Sequence, residues 1–158
     1  MSEIKTGQEL ILENVLSFRS KMTPDRVQDK MTDIGRYLKN NNVKNNGTLV
    51  TTSFSVEIID GKQVIDMEIL IPVDKKPVDL NGYRYKERFH LVNALYLKHI
   101  GNPQLIQDSY NLLQHYMEDN KLQPITGGYN VTVKKPGQNG PVDEMETDIY
   151  IGINPNSL

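Results

Sequence analysis

Two carboxylates lie in the most regular strand patterns of this 158-residue chain: Glu68 in MEILIPV, starting at Met67, and Asp148 in TDIYIGI, starting at Thr147. Side chains alternate between the two faces of a strand. Met67, Ile69, Ile71 and Val73 therefore share one face, which leaves Asp66, Glu68, Leu70 and Pro72 on the other. In the second segment Thr147, Ile149, Ile151 and Ile153 oppose Glu146, Asp148, Tyr150 and Gly152. An acid beside a tyrosine ring, on a strand face that no helix covers, suits a cation with a hydrophobic body: the carboxylate and the ring face both attract the charge. Tyr96 and Tyr129, in neighbouring apolar stretches, are further candidates for such a wall. The same residues admit blander uses. Glu68 and Asp148 can belong to a solvated strand face, to ligand or partner recognition, or to acid–base chemistry, and tyrosines also serve packing. The candidate ligand-binding residues are thus Glu68, Tyr96, Tyr129, Asp148 and Tyr150, and no catalytic role is assigned.

Other chemistry is narrowed by composition. The chain has no cysteine, which removes disulfides, thiol nucleophiles and thiolate metal sites. His90, His99 and His115 do not form a spaced metal motif, so structural or solvent roles are expected, with no metal and no cofactor. Gly127-Gly128, Gly137 and Gly140 read as turn residues, because no glycine-rich element is followed by Lys and Ser or Thr. Eighteen basic against 20 acidic residues give a net charge of −2, and Lys134-Lys135 is too small a patch to imply a nucleic-acid groove. No apolar run reaches transmembrane length and the first ten residues lack an export-signal layout, so a soluble cytoplasmic protein is expected.

The elements that must position these residues follow from a repeat. Asn102-Pro103 suits a cap followed by proline at the first helical position, and Ile106, Tyr110, Leu113 and Met117 then mark one helical face. Thr23-Pro24 with Val27, Met31, Ile34 and Leu38 repeats that face 79 positions earlier, as Asn14 precedes Asn93 and Tyr37 precedes Tyr116. Gly47 and Gly127, and the two acidic-apolar strands, differ by 80. Helices are predicted over 24–40 and 103–119, and strands over 10–18, 48–59, 64–73, 89–97, 129–133 and 145–153. Asp60-Gly61 marks a hairpin, Asp74–Gly82 a link, and Pro136–Pro141 a glycine- and proline-rich loop. The expected architecture is α+β: one domain over 1–158 built from two β-α-β-β repeats, approximately 10–73 and 83–154. Its antiparallel sheets would flank a pseudo-twofold central cleft.

This order, together with the His99-Ile-Gly101 turn, the Tyr-x₂-Leu-x₂-Tyr pattern at 110–116 and the acid-Ile-x-Ile endings at 68–71 and 148–151, resembles the GyrI-like superfamily of bacterial transcription-activator effector-binding domains. The resemblance covers residues 10–154. It implies a drug-sensing domain, a stand-alone binding protein, a protein-inhibitory module or, less centrally, a small-molecule hydrolase. In drug-sensing members a strand carboxylate and aromatic residues engage lipophilic cations, and Asp148 and Glu68 are the residues here that match the acid by strand position. The family favours glutamate and a late proline in the last strand, where this chain has Asp148 and Gly152. The expected function is stand-alone recognition of a small hydrophobic molecule, cationic in the drug-sensing variant, without turnover. A protein partner is the alternative; neither nucleic acid nor membrane is expected as a partner.

Overall fold

A computed structural model describes residues 3–134 and 145–157, so the expected loop Pro136–Pro141 lies outside the described residues. The order is β1 (Lys5–Met22), α1 (Pro24–Asn40), β2 (Val50–Ile59), β3 (Lys62–Pro72), β4 (Arg84–Ile100), a 3₁₀ turn (Pro103–Leu105), α2 (Ile106–Asp119), β5 (Pro124–Lys134) and β6 (Glu146–Ile153). The chain divides into two compact units. The first is Ile11–Phe89; the second combines Met1–Leu10 with His90–Leu158, so the chain changes unit within β1 and again within β4.

In the first unit β3 lies between β1 and β2 and runs antiparallel to both. The expected alternation holds: Met67, Ile69, Ile71 and Val73 join Leu16, Ile34, Tyr37 and Leu38 in one core. In the second unit β6 lies between β4 and β5, again antiparallel to both. Its Ile149, Ile151 and Ile153 pack with Leu95, Leu97 and Leu113, and Ile106, Tyr110 and Met117 close over them from α2. Each unit thus has an α+β build in which the last strand is central, which is why those strands carry the chain's densest apolar alternation.

Both helices end the same way. The Asn41 amide donates to the Tyr37 carbonyl at 2.9 Å, Asn42 turns left-handed (φ 54°), and the Val43 N–H returns to the Leu38 carbonyl at 3.0 Å. Asn120, Lys121 (φ 53°) and Leu122 repeat this on Tyr116 and Met117, with 2.9 and 2.8 Å bonds. Such an ending satisfies carbonyls that the last turn would leave unpaired. The starts differ. Pro24 follows an extended Thr23 directly into α1. The Asn102 side chain instead accepts from the Gln104 N–H at 3.0 Å over a 3₁₀ turn, so the α-helix proper begins at Ile106 rather than at 103.

Strands run past several predicted ends. β1 and β4 extend through polar residues on both sides of the predicted 10–18 and 89–97, because Asn14 (φ 53°) and Asn93 (φ 52°) absorb an irregularity without ending the strand. Asparagine tolerates the left-handed region better than most residues. In β2 the pairing shifts between Ser53 and Ser55, so Val50 and Thr52 are buried but Phe54 and Val56, which unbroken alternation would put on their face, are exposed. A bulge resets the alternation. No helix among the described residues is long and apolar enough to cross a membrane.

Candidate functional site

Register in the second unit brings four of the five candidates together. Tyr96 on β4 and Tyr129 on β5 both pair with Tyr150 on β6, so three tyrosines form one row across adjacent strands. The next row is Lys98, Asp148 and Val131. Directly paired residues share a face, and this is the face opposite Ile149 and Ile151, which lie against α2. All six side chains are half-buried. The Tyr96 and Tyr150 rings sit 5.2 Å apart, tilted by 54°. The Tyr96 hydroxyl donates to Asp148 Oδ1 at 2.6 Å. Lys98 Nζ lies 3.0 Å from the same oxygen and 3.2 Å from Glu146 Oε1.

The electrostatics follow from this packing. Burial, then the hydrogen bond to Asp148, pushes the Tyr96 phenol up to about 12. Burial and the nearby Asp148 also raise Tyr150. Burial by itself would lower the Lys98 ammonium, but its hydrogen bonds to Asp148 and Glu146 outweigh that and raise it. At neutral pH the tyrosines are therefore neutral donors and Lys98 is a cation held between two acids.

Glu68, the fifth candidate, belongs to the first unit and has its own surroundings. The Ser17 hydroxyl donates to Glu68 Oε2 at 2.5 Å, and Arg19 is the cross-strand partner of Glu68. Arg19 makes two 3.1 Å hydrogen bonds to Asp66 and stacks over the Phe54 ring, 3.7 Å from its centroid. These bonds hold the Asp66 carboxyl below its ordinary value. An open cavity of about 580 Å³ is lined by Ser17, Phe18, Arg19, Lys21, Glu68 and Arg84, among others. Its walls are mainly charged, and Phe18 is the aromatic residue on them.

Sequence reasoning found the acids and tyrosines but missed Ser17, Arg19 and Lys98, which decide how the acids behave. A signal was present. Arg19 and Lys98 are 79 residues apart, as are Ser17 and Tyr96, while Asp66 and Glu146, like Glu68 and Asp148, are 80 apart. A second missed pair is His99 and Ser109: His99 Nε2 lies 2.9 Å from the Asn102 carbonyl and Nδ1 lies 2.8 Å from Ser109 Oγ. A carbonyl can only accept, so Nε2 donates to Asn102, and Nδ1 shares a hydrogen bond with the serine hydroxyl. Both residues are buried, and the arrangement ties the end of β4 to α2 instead of exposing a nucleophile. His90 lies 3.5 Å from Glu9 and His115 is exposed. No group of three or more metal-ligating acids or histidines occurs among the described residues.

No family model and no curated protein sequence matches the chain. Solved structures do. The C-terminal domain of EcmrR aligns with a TM-score of 0.76 at 15% identity, over 98% of both chains. Against EcmrR in its DNA complex the TM-score is 0.74 at 16% identity, and this chain spans 57% of that protein. A hydrolase from Listeria innocua aligns at 0.61 with 15% identity, over 97% of this chain and 91% of that one. A structure bound to tetraphenylphosphonium aligns at 0.50 with 11% identity, over 98% and 94%. At such identities the likeness is one of fold alone.

Proposed function

We propose that this chain is an effector-binding module of the cytoplasm. It holds a small hydrophobic molecule on the tyrosine face of its second unit and does not turn it over. The observation that carries this reading is the register row Tyr96–Tyr150–Tyr129, half-buried and flanked by Asp148. Three aligned rings offer a ligand apolar area with little side-chain entropy to lose, while the hydroxyls fix orientation. The resemblance in fold to a tetraphenylphosphonium-bound structure supports the ligand class. Residues 10–73 and 83–154 are, in this reading, duplicated units of one domain, supported by the matched helix endings and the two left-handed asparagines.

Calorimetry with tetraphenylphosphonium and neutral triphenylphosphine oxide tests the site. Tyr150→Leu should weaken both probes by about tenfold, the scale of one well-placed aromatic contact, whereas Glu68→Gln should change neither by more than about twofold. Loss on Glu68→Gln with Tyr150→Leu unaffected would move the site to the first unit. A protein-interaction reading rests on a different observation: Val56 and Ile58 of β2 are 54% and 72% exposed. If that surface is the functional one, Ile58→Glu abolishes partner binding and leaves the probes untouched.

A further inference from the structure

We infer that Lys98 is a built-in competitor: its ammonium occupies the carboxylate end of the tyrosine face, so the site discriminates by charge, favouring an uncharged ring-bearing molecule over an organic cation of the same shape. This rests on the ligand-binding reading of that face and assigns it a selectivity.

The geometry carries the argument. An organic cation gains most where an acid and ring faces converge and water is partly excluded. Here that place is Asp148, beside Tyr96 and Tyr150. Lys98 Nζ already lies 3.0 Å from Asp148 Oδ1, with Glu146 at 3.2 Å as its second anchor. Tyr96 donates to that same Oδ1, so two donors already share the oxygen. Lys5 adds a second internal cation, 6.0 Å from the Tyr96 ring centroid. An incoming cation must displace Lys98 from an oxygen it holds from within the same sheet, or accept repulsion from it. A neutral ligand meets neither cost and can take the one ammonium proton that these two bonds leave over.

The first unit has a related arrangement. Arg19 lies at the position equivalent to Lys98, bonds Asp66 twice at 3.1 Å, faces Glu68 across the strands and covers the Phe54 ring. A basic side chain held by an acid of the central strand, with a second acid as its cross-strand neighbour or contact, thus occurs in both units and is not an accident of one lysine rotamer.

The test is calorimetry of tetraphenylphosphonium and triphenylphosphine oxide against wild type, Lys98→Met, Lys98→Met/Glu146→Gln and Lys98→Met/Asp148→Asn. The two double variants carry the same net charge and differ in which acid survives, and Lys98→Met/Glu146→Gln guards against misfolding from two unpaired acids. Lys98→Met and Lys98→Met/Glu146→Gln should bind the phosphonium about tenfold or more tighter than wild type, with the oxide changed less than about twofold; Lys98→Met/Asp148→Asn should cancel the gain. Equal gains for both probes, or no gain for the cation while the oxide still binds, would overturn the competitor role and leave the ligand site standing. Failure of both probes to bind any variant would overturn the site itself, and this inference with it.

Discussion

The two units place different chemistry on the same register. In the first, the row equivalent to the tyrosines is Ser17, Leu70 and Val50, all buried. In the second it is Tyr96, Tyr150 and Tyr129, all half-buried. One row leaves a small hydroxyl and apolar packing; the other leaves three rings with polar ends. The row beside it keeps its character in both units, pairing Arg19 with Glu68 and Lys98 with Asp148. The helix-facing sides agree still more closely. Packing therefore constrains the helix side of each sheet, whereas the opposite side is where the units differ and where recognition can be specific to one of them.

The largest effects should come from the shared side. Leu113→Ala empties a fully buried position on the inner face of α2 and should cost about 2–5 kcal/mol in urea unfolding, and Ile34→Ala should cost a similar amount in the other unit. Ile106 is only half-buried, so Ile106→Ala should cost less than either. If Ile106→Ala proved the most costly of the three, the assignment of helix faces would be wrong.

Next in size is a difference between the units. Tyr110 lies over Gly128 so closely that a Cβ there would overlap its ring and hydroxyl, and that hydroxyl donates to Asn130 at 2.5 Å. The equivalent positions in the first unit are Met31 and Thr48. Gly128→Ala should therefore destabilise by about 1–3 kcal/mol through displaced packing, while Thr48→Ala should stay within about 0.5 kcal/mol. Equal effects would remove the claimed specialisation of β5.

Smaller again are the left-handed asparagines. Asn14→Gly and Asn93→Gly keep the backbone at no steric cost, whereas Asn14→Ala and Asn93→Ala should each lose about 1 kcal/mol more than their glycine counterparts in thermal or urea unfolding. The first residue accepts from the Tyr85 hydroxyl at 2.6 Å and the second donates to the Ile153 carbonyl at 3.0 Å. Indistinguishable Ala and Gly variants would mean that the positive φ is not what fixes these positions.

The smallest effect is alkaline. Tyr96 is raised to about 12, above the ~10 of a free phenol. The unfolded chain loses that proton first, so Tyr96 contributes stability that is present below pH ~10 and disappears as pH rises towards its folded value. Tyr96→Phe should make the loss of stability over that range shallower, and ultraviolet titration should show one fewer late-ionising phenol. An unchanged titration would contradict the Tyr96–Asp148 bond.

Much of this was legible in the chain itself. The caps at Thr23-Pro24 and Asn102-Pro103, the periodic helix faces and the alternation in β3 and β6 are local signals, and they placed both helices, the central strands and the buried faces. Glu68, Asp148 and Tyr150 were assigned to the correct strand faces for the same reason. What was not legible depends on cross-strand register. Arg19, Ser20 and Lys21 read as a loop until β3 supplies Glu68, Met67 and Asp66 as partners. Lys98 reads as a solvated strand end until β6 sets Asp148 beside it. The bulge at Phe54 breaks an alternation that the sequence presents as continuous.

The central claim, that ligand recognition belongs to the tyrosine face of the second unit, is most directly tested by aromatic NMR during titration with triphenylphosphine oxide. The account predicts saturable shifts concentrated in the rings of Tyr96, Tyr129 and Tyr150, with Phe18 and Phe54 unmoved. Shifts confined to Phe18 and Phe54, beside the cavity that holds Glu68, would contradict it.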